Sequence, residues 1–174
     1  MDDMTATFAS MLERIQAIED RLAIQSLIAT HPLSADTGAP PLLERIYAED
    51  AVFDRGPGLS GATDRNAIID MMWCEPHRQA IAGGLAHFGS PPLIELDGDK
   101  ASAVSYSMLV TPDRDGEERE LPNHGMSTGY RIHRVLVNRW TLSRIADDWK
   151  IIARKIAPAD GAGPALDLLR EWAH

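Results

Sequence analysis

The chain has a single cysteine, Cys74, so no intrachain disulfide can staple it, and that usage fits a reducing compartment. It carries no run of Lys and Arg, and its net charge is −9 over 174 residues. A phosphate backbone is therefore a poor partner, and no nucleic acid is expected. No apolar run approaches the ~20 residues that span a bilayer, so no membrane partner is expected either. The first residues are acidic and amphipathic and lack the basic start and apolar core of a secretory signal, which makes the cytoplasm the expected location. His77, His124, His133 and His174 form neither His-x-His nor His-Glu-x-x-His, so no metal site is expected. Gly56-Pro57-Gly58 lacks the Lys-Ser/Thr of a phosphate loop, and no Gly-x-Ser-x-Gly elbow occurs. Cys74 has no basic neighbour and is expected to be an inert, buried thiol.

What is present is an ordinary globular composition, 44% apolar and 25% charged, in a length that suits one domain over residues 1–174. Phe8, Met11, Leu12, Ile15, Ile18 and Leu22 recur at helical spacing, and Ile24, Leu27 and Ile28 extend the apolar face. They predict a long amphipathic helix that buries these residues over much of 5–31, kinked or ended by Pro32, with Asp36 just beyond the kink and before the loop 37–40. Pro40-Pro41 opens a short helix through Tyr47, and 51–54 reads as a short strand. Thr63 or Asp64 can cap a helix carrying Ile68, Ile69, Met72 and Trp73, which pauses at Pro76 and ends at Gly83-Gly84. Met71, Met72 and Trp73 suit either a pocket wall or plain core.

A strand bearing His87 follows, then a Pro91-Pro92 break and a second strand run. Asp97-Gly98 predicts a tight hairpin turn into a partner strand over 102–110. The charged stretch 111–123 reads as an exposed loop, 129–145 as the longest strand, 149–156 as the last strand and 165–172 as a short terminal helix. Helices first and a meander of antiparallel strands after them predict an α+β fold, with a curved sheet wrapped around the N-terminal helices as a cone. The hollow of such a cone is a natural place for a small ligand.

A wider set of positions points to a family. Ala23-Ile24-Gln25, Leu27, Asp36, Tyr47 to Phe53, Gly61, His87-Phe88, Ile94 to Asp99, Ala101, Asn138-Arg139-Trp140, Trp149-Lys150-Ile151 and Arg154 stand in an order that resembles the SnoaL-like branch of the NTF2-like (cystatin-like α+β barrel) superfamily. Within it, the pattern is most similar to the group that includes scytalone dehydratase and hexachlorocyclohexane dehydrochlorinase. The resemblance covers residues 15–157 and leaves a C-terminal helix extension at 164–173. It implies that His87 is a base removing a carbon-bound proton and that Asp36 orients it. Imidazole titrates near neutrality, and a carboxylate on its far nitrogen fixes the tautomer. Such a dyad needs no metal or cofactor.

His31-Pro32 stands where relatives of the scytalone dehydratase type tend to have a tyrosine, so their tyrosine-held water has no obvious counterpart. Tyr47 and Tyr106 are candidate substitutes, Asn138 a candidate donor to a substrate oxygen, and His31 a candidate second pocket histidine. The leading expectation is a cofactor-independent lyase or isomerase acting on a small, largely apolar, oxygenated or halogenated molecule. Asp36 and His87 would be catalytic, with His31, Tyr47, Phe53, Met72, Trp73, Tyr106 and Asn138 shaping the cavity. The alternatives are a non-catalytic ligand-binding or protein-interaction domain, and an accessory subunit like the small subunit of ring-hydroxylating dioxygenases. Relatives of this type associate through the outer sheet face, and apolar residues on both alternations of 129–145 suit that. A homodimer or homotrimer is expected.

Overall fold

A computed structural model describes residues 2–56, 58–161 and 163–172, with side chains from residue 4 onward. Helix α1 (Asp2–Thr37) is followed by α2 (Pro40–Ile46), β1 (Tyr47–Asp54), α3 (Arg65–Trp73) and α4 (Glu75–Ala82). The sheet strands β2 (Ala86–Gly89), β3 (Leu93–Asp97) and β4 (Lys100–Pro112) come next, then a small hairpin of β5 (Arg119–Leu121) and β6 (Gly125–Ser127). The long strands β7 (Tyr130–Ile145) and β8 (Asp148–Pro158) and helix α5 (Gly163–Arg170) complete the described chain. The main sheet runs β1-β8-β7-β4-β2, with β3 on the same edge of β4 as β2; β1 pairs with β8 in parallel and the other pairs are antiparallel. The fold is thus α+β, with a curved sheet that does not close. None of the described helices is long and apolar enough to cross a membrane.

The predicted hairpin turn forms, with Asp97 paired to Lys100 and Gly98 in the left-handed region at φ 57°. At the Pro91-Pro92 break the sheet edge is kept satisfied by Ser90, whose N–H donates to the Tyr106 carbonyl at 2.9 Å and whose Oγ accepts from the Tyr106 N–H at 3.0 Å. Register shifts between Leu109 and Val110 and between Thr141 and Leu142 mark bulges of the kind that bend long strands. Asp64, not Thr63, caps α3, accepting from the Ala67 N–H at 2.8 Å.

Three expectations are corrected. Pro32 does not end α1, which runs on to Thr37 and carries Asp36 in its last turn. The stretch 111–123 is not all loop, because β5 and β6 pair across it. The apolar residues of α1 before Asp20 do not enter the core: Phe8, Met11, Leu12, Ile15 and Ile18 are exposed, and burial begins at Asp20 and Ile24.

The main core packs Ile24 and Ile28 of α1, Leu43 and Ile46 of α2, and Ile68 and Met72 of α3 onto the inner face of β1, β7 and β8. On the outer face a smaller cluster joins Val104, Val137 and Ala157 to Ala165 and Leu168 of α5, so α5 already covers part of the surface that the sequence offered for self-association. Gly38 ends α1 at φ 59°, and a Cβ there would meet the Trp73 ring at 2.3 Å, so only glycine allows this close approach.

Asp20 fastens α1 to the sheet, accepting from Trp149 Nε1 at 3.0 Å, Arg144 Nη2 at 2.8 Å and Gln16 Nε2 at 3.1 Å. Asp20→Ala leaves a buried indole N–H without its acceptor and is expected to cost roughly 2–3 kcal/mol in urea unfolding, with an unchanged m-value.

Candidate active site

The site lies where the end of α1 crosses β2. A carboxylate in the last turn of a helix faces the negative end of the dipole, and this last turn has no basic residue to offset it. Asp36 is stabilised there by His87, 51 residues away: its Oδ1 accepts from His87 Nδ1 at 2.6 Å, and the His87 backbone N–H lies 3.2 and 3.1 Å from its two oxygens. A carboxylate can only accept, so the proton sits on Nδ1 and the lone pair on Nε2. Burial lowers the imidazole below its ordinary 6.5, against the hydrogen bond and charge of Asp36, which raise it; His77 and Arg154 add to the lowering. His87 is therefore a neutral, oriented base at neutral pH.

Two chambers open beside this pair. One of about 340 Å³ lies toward α3 and α4, lined by Phe53, Met72, Cys74, His77 and Leu136 among others. The other, about 430 Å³, lies toward α1 and the Pro91-Pro92 break, lined by Ile28, Ser90, Tyr106, Asn138 and Trp140 among others. His31, Pro32, His87, Phe88, Ser107 and Arg154 wall both, so the histidine base stands between two mostly apolar spaces.

Arg154 of β8 is the cavity residue that reasoning from composition and spacing missed. Its guanidinium is sandwiched between the rings of Phe53, at 4.5 Å, and Trp140, at 4.6 Å. It donates from Nε and Nη2 to Asn138 Oδ1 at 3.0 and 2.6 Å, and from Nη1 to His31 Nε2. No carboxylate among the described residues pairs with it, although it is buried. A lone buried cation is costly, and here it projects its field into the cavity. The signal in the sequence was an arginine amid the buried residues of a strand, between Ile151 and Ile156.

The same bonds define His31. Because Arg154 can only donate, His31 Nε2 accepts, and its Nδ1–H points to Tyr47 Oη at 3.1 Å. Burial first, and then the charge of Arg154, hold His31 well below the ordinary histidine value, which keeps it neutral. Asn138 in turn donates to Ser107 Oγ at 3.0 Å, and Trp140 Nε1 to Ser105 Oγ at 2.9 Å. A polar chain thus runs Tyr47–His31–Arg154–Asn138–Ser107 behind the chambers.

Of the residues expected in the cavity, His31, Phe53, Met72, Tyr106 and Asn138 line one or both chambers. Tyr47 and Trp73 do not. Tyr47 is fully buried behind His31, and Trp73, 48% exposed, lies over Gly38. Cys74 is exposed rather than buried, at the rim of the first chamber. His77, weighed in the sequence only as a metal ligand, donates from Nε2 to the Ala35 carbonyl at 2.9 Å and stacks obliquely 5.7 Å from the His87 ring. Among the described residues no three His, Cys, Asp or Glu side chains converge to hold a metal ion.

Comparison with known proteins places this geometry in context. An NTF2-like protein with a cystatin-like fold from Novosphingobium aromaticivorans is 31% identical over 92% of this chain and 96% of its own, with a TM-score of 0.79. Two further proteins of that organism share the fold. One, provisionally named an aromatic ring hydroxylase, is 24% identical over 87% of this chain and 96% of its own, with a TM-score of 0.58. The other, provisionally named a scytalone dehydratase, is 20% identical over 86% of this chain and 92% of its own, with a TM-score of 0.58. Among curated proteins, none matches the chain. Residues 16–155, which span both members of the Asp36–His87 pair and Arg154, match the SnoaL-like domain, and the chain belongs to that family within the NTF2-like, cystatin-like fold.

Proposed function

We propose that the chain is a cofactor-independent lyase or isomerase that removes a carbon-bound proton from a small, largely apolar molecule bearing a carbonyl, hydroxyl or halide near the reacting carbon. The observation that carries this reading is the 2.6 Å Asp36–His87 bond, which leaves Nε2 of a neutral imidazole as the free base beside a cavity that also faces an unpaired, buried guanidinium.

In the step proposed, His87 Nε2 takes the proton as the C–H bond breaks, and Asp36 balances the imidazolium through Nδ1–H. The electron pair either expels a neighbouring leaving group, which gives an alkene, or moves onto an adjacent carbonyl oxygen as an enolate. The proton is then returned to the leaving group or to a second carbon. In both cases negative charge grows while His87 becomes positive, and Arg154 is the fixed cation able to meet it. Its position is set in advance by Asn138, His31 and the two rings, so little reorganisation is required when the charge appears.

Three outcomes are expected. Screening β-hydroxy ketones, small cyclic ketones and chlorinated cycloalkanes for elimination or for solvent-deuterium uptake should find activity that His87→Ala reduces at least about 10³-fold and Asp36→Asn by about 10²-fold or more. Turnover indifferent to His87→Ala would overturn the role of His87, and binding without turnover would leave a ligand-binding domain as the better reading. The acid limb of kcat/KM should follow the neutral fraction of His87. Because the folded imidazole titrates below its ordinary 6.5, activity persists at that pH and falls only at lower pH. Asp36→Asn removes an influence that raises this value and should move the limb lower still, whereas a midpoint above 6.5 contradicts the assignment. Finally, Arg154→Met should lower kcat by about 10²–10³-fold in a domain that stays folded, because relief of the buried charge is offset by the donors lost to Asn138 and His31 and thermal stability changes little. A parallel fall in stability and activity would make Arg154 structural.

A further inference from the structure

The first turns of α1 stand clear of the domain: every residue from 4 to 16 is exposed. A helix of this length is marginal in water unless something packs on it. Its apolar residues are not scattered. Met4, Phe8, Met11, Ile15, Ile18 and Leu22 follow one another at steps of 4, 3, 4, 3 and 4, the spacing of a coiled-coil seam. Phe8, Ile15 and Leu22 take the a positions and Met4, Met11 and Ile18 the d positions, and all six are 48–75% exposed.

The domain cannot supply the cover. Asp20 and Ile24, the first α1 residues it buries, fall at positions f and c, on the opposite side of the helix from the seam. The seam therefore points away from the body that holds the helix. The flanking charges favour one arrangement. Arg14 lies at a g position and Glu19 at the following e position, so two copies side by side in parallel place each Arg14 against the other's Glu19. In an antiparallel pair, g faces g, and Arg14 and Arg21 crowd one flank.

We propose that residues 4–22 of α1 pack in parallel against the same segment of another copy of this chain, as a short coiled coil that projects from the SnoaL-like domain. The bodies then sit on the outer sides of the coil, held by the f and c face, and the site at the far end of α1 stays open.

The test uses the full chain. Sedimentation equilibrium at micromolar concentration should give a multiple of the 19.1 kDa chain mass, and Ile15→Asp/Ile18→Asp should return it to one chain with an unchanged thermal transition of the domain. Arg14→Glu alone should weaken association about tenfold, and Arg14→Glu/Glu19→Arg should restore it, a rescue that loss of folding cannot mimic. In a Cys74→Ser background, Met11→Cys should oxidise to a disulfide between equivalent residues of two copies. A monomeric wild type overturns the proposal, whether the seam is bare or reserved for a different protein. So does an oligomer insensitive to Ile15→Asp/Ile18→Asp, or a helix pair in which Met4→Cys cross-links to Leu22→Cys and Met11→Cys not to itself.

Discussion

The bond between Asp36 and His87 ties the ends of two unrelated elements together. One is the last turn of a helix of 36 residues, and the other a four-residue strand at the edge of the sheet. Asp36 stands where the dipole of α1 works against it, and three N–H contacts from one residue compensate. A local disadvantage tolerated at a cavity wall is the kind of inconsistency that marks a working site. The pair also sets the tautomer of the histidine, and with it which nitrogen is left for chemistry.

Arg154 supplies the complementary half. Its neighbours are rings and neutral acceptors, so its charge is held in place without being cancelled. An acid beside it would quench the field that the cavity receives. His31 shows the effect: caught between Arg154 and Tyr47, it is held neutral and accepts from Arg154, while its ring walls both chambers. His87 and Arg154 both border the two chambers, so the proposed proton acceptor and the proposed sink for negative charge would face the same spaces.

Much of this was legible in the chain itself. The Asp97-Gly98 turn, the long strand around Trp140 and the order of helices before strands follow from local turn chemistry and from side-chain periodicity, which act over a few residues. The nearness of Asp36 to His87 came through a family resemblance, because no local rule brings together residues 51 apart. The misses have physical reasons. Pro32 lacks an amide donor, but tertiary contacts of α1 with β2 and β8 carry the helix through it to Thr37. Trp73 was expected inward from its spacing with Met72, yet the absent side chain of Gly38 gives it a place at the surface. Phe8, Ile15 and Ile18 read as core because periodicity reports that an apolar face exists and not what covers it. Arg154 entered only as a position of the family pattern, since its place at the cavity depends on which acids are not near it.

His87 as a neutral base carries its proton on Nδ1 and its lone pair on Nε2. Long-range proton–nitrogen NMR on histidine-labelled protein reads both nitrogens directly. At about pH 7.5, above the ordinary histidine range, His87 is expected to show a protonated Nδ1 and an unprotonated Nε2, with the pattern lost in Asp36→Asn. A proton on Nε2, or an imidazolium at that pH, would contradict it.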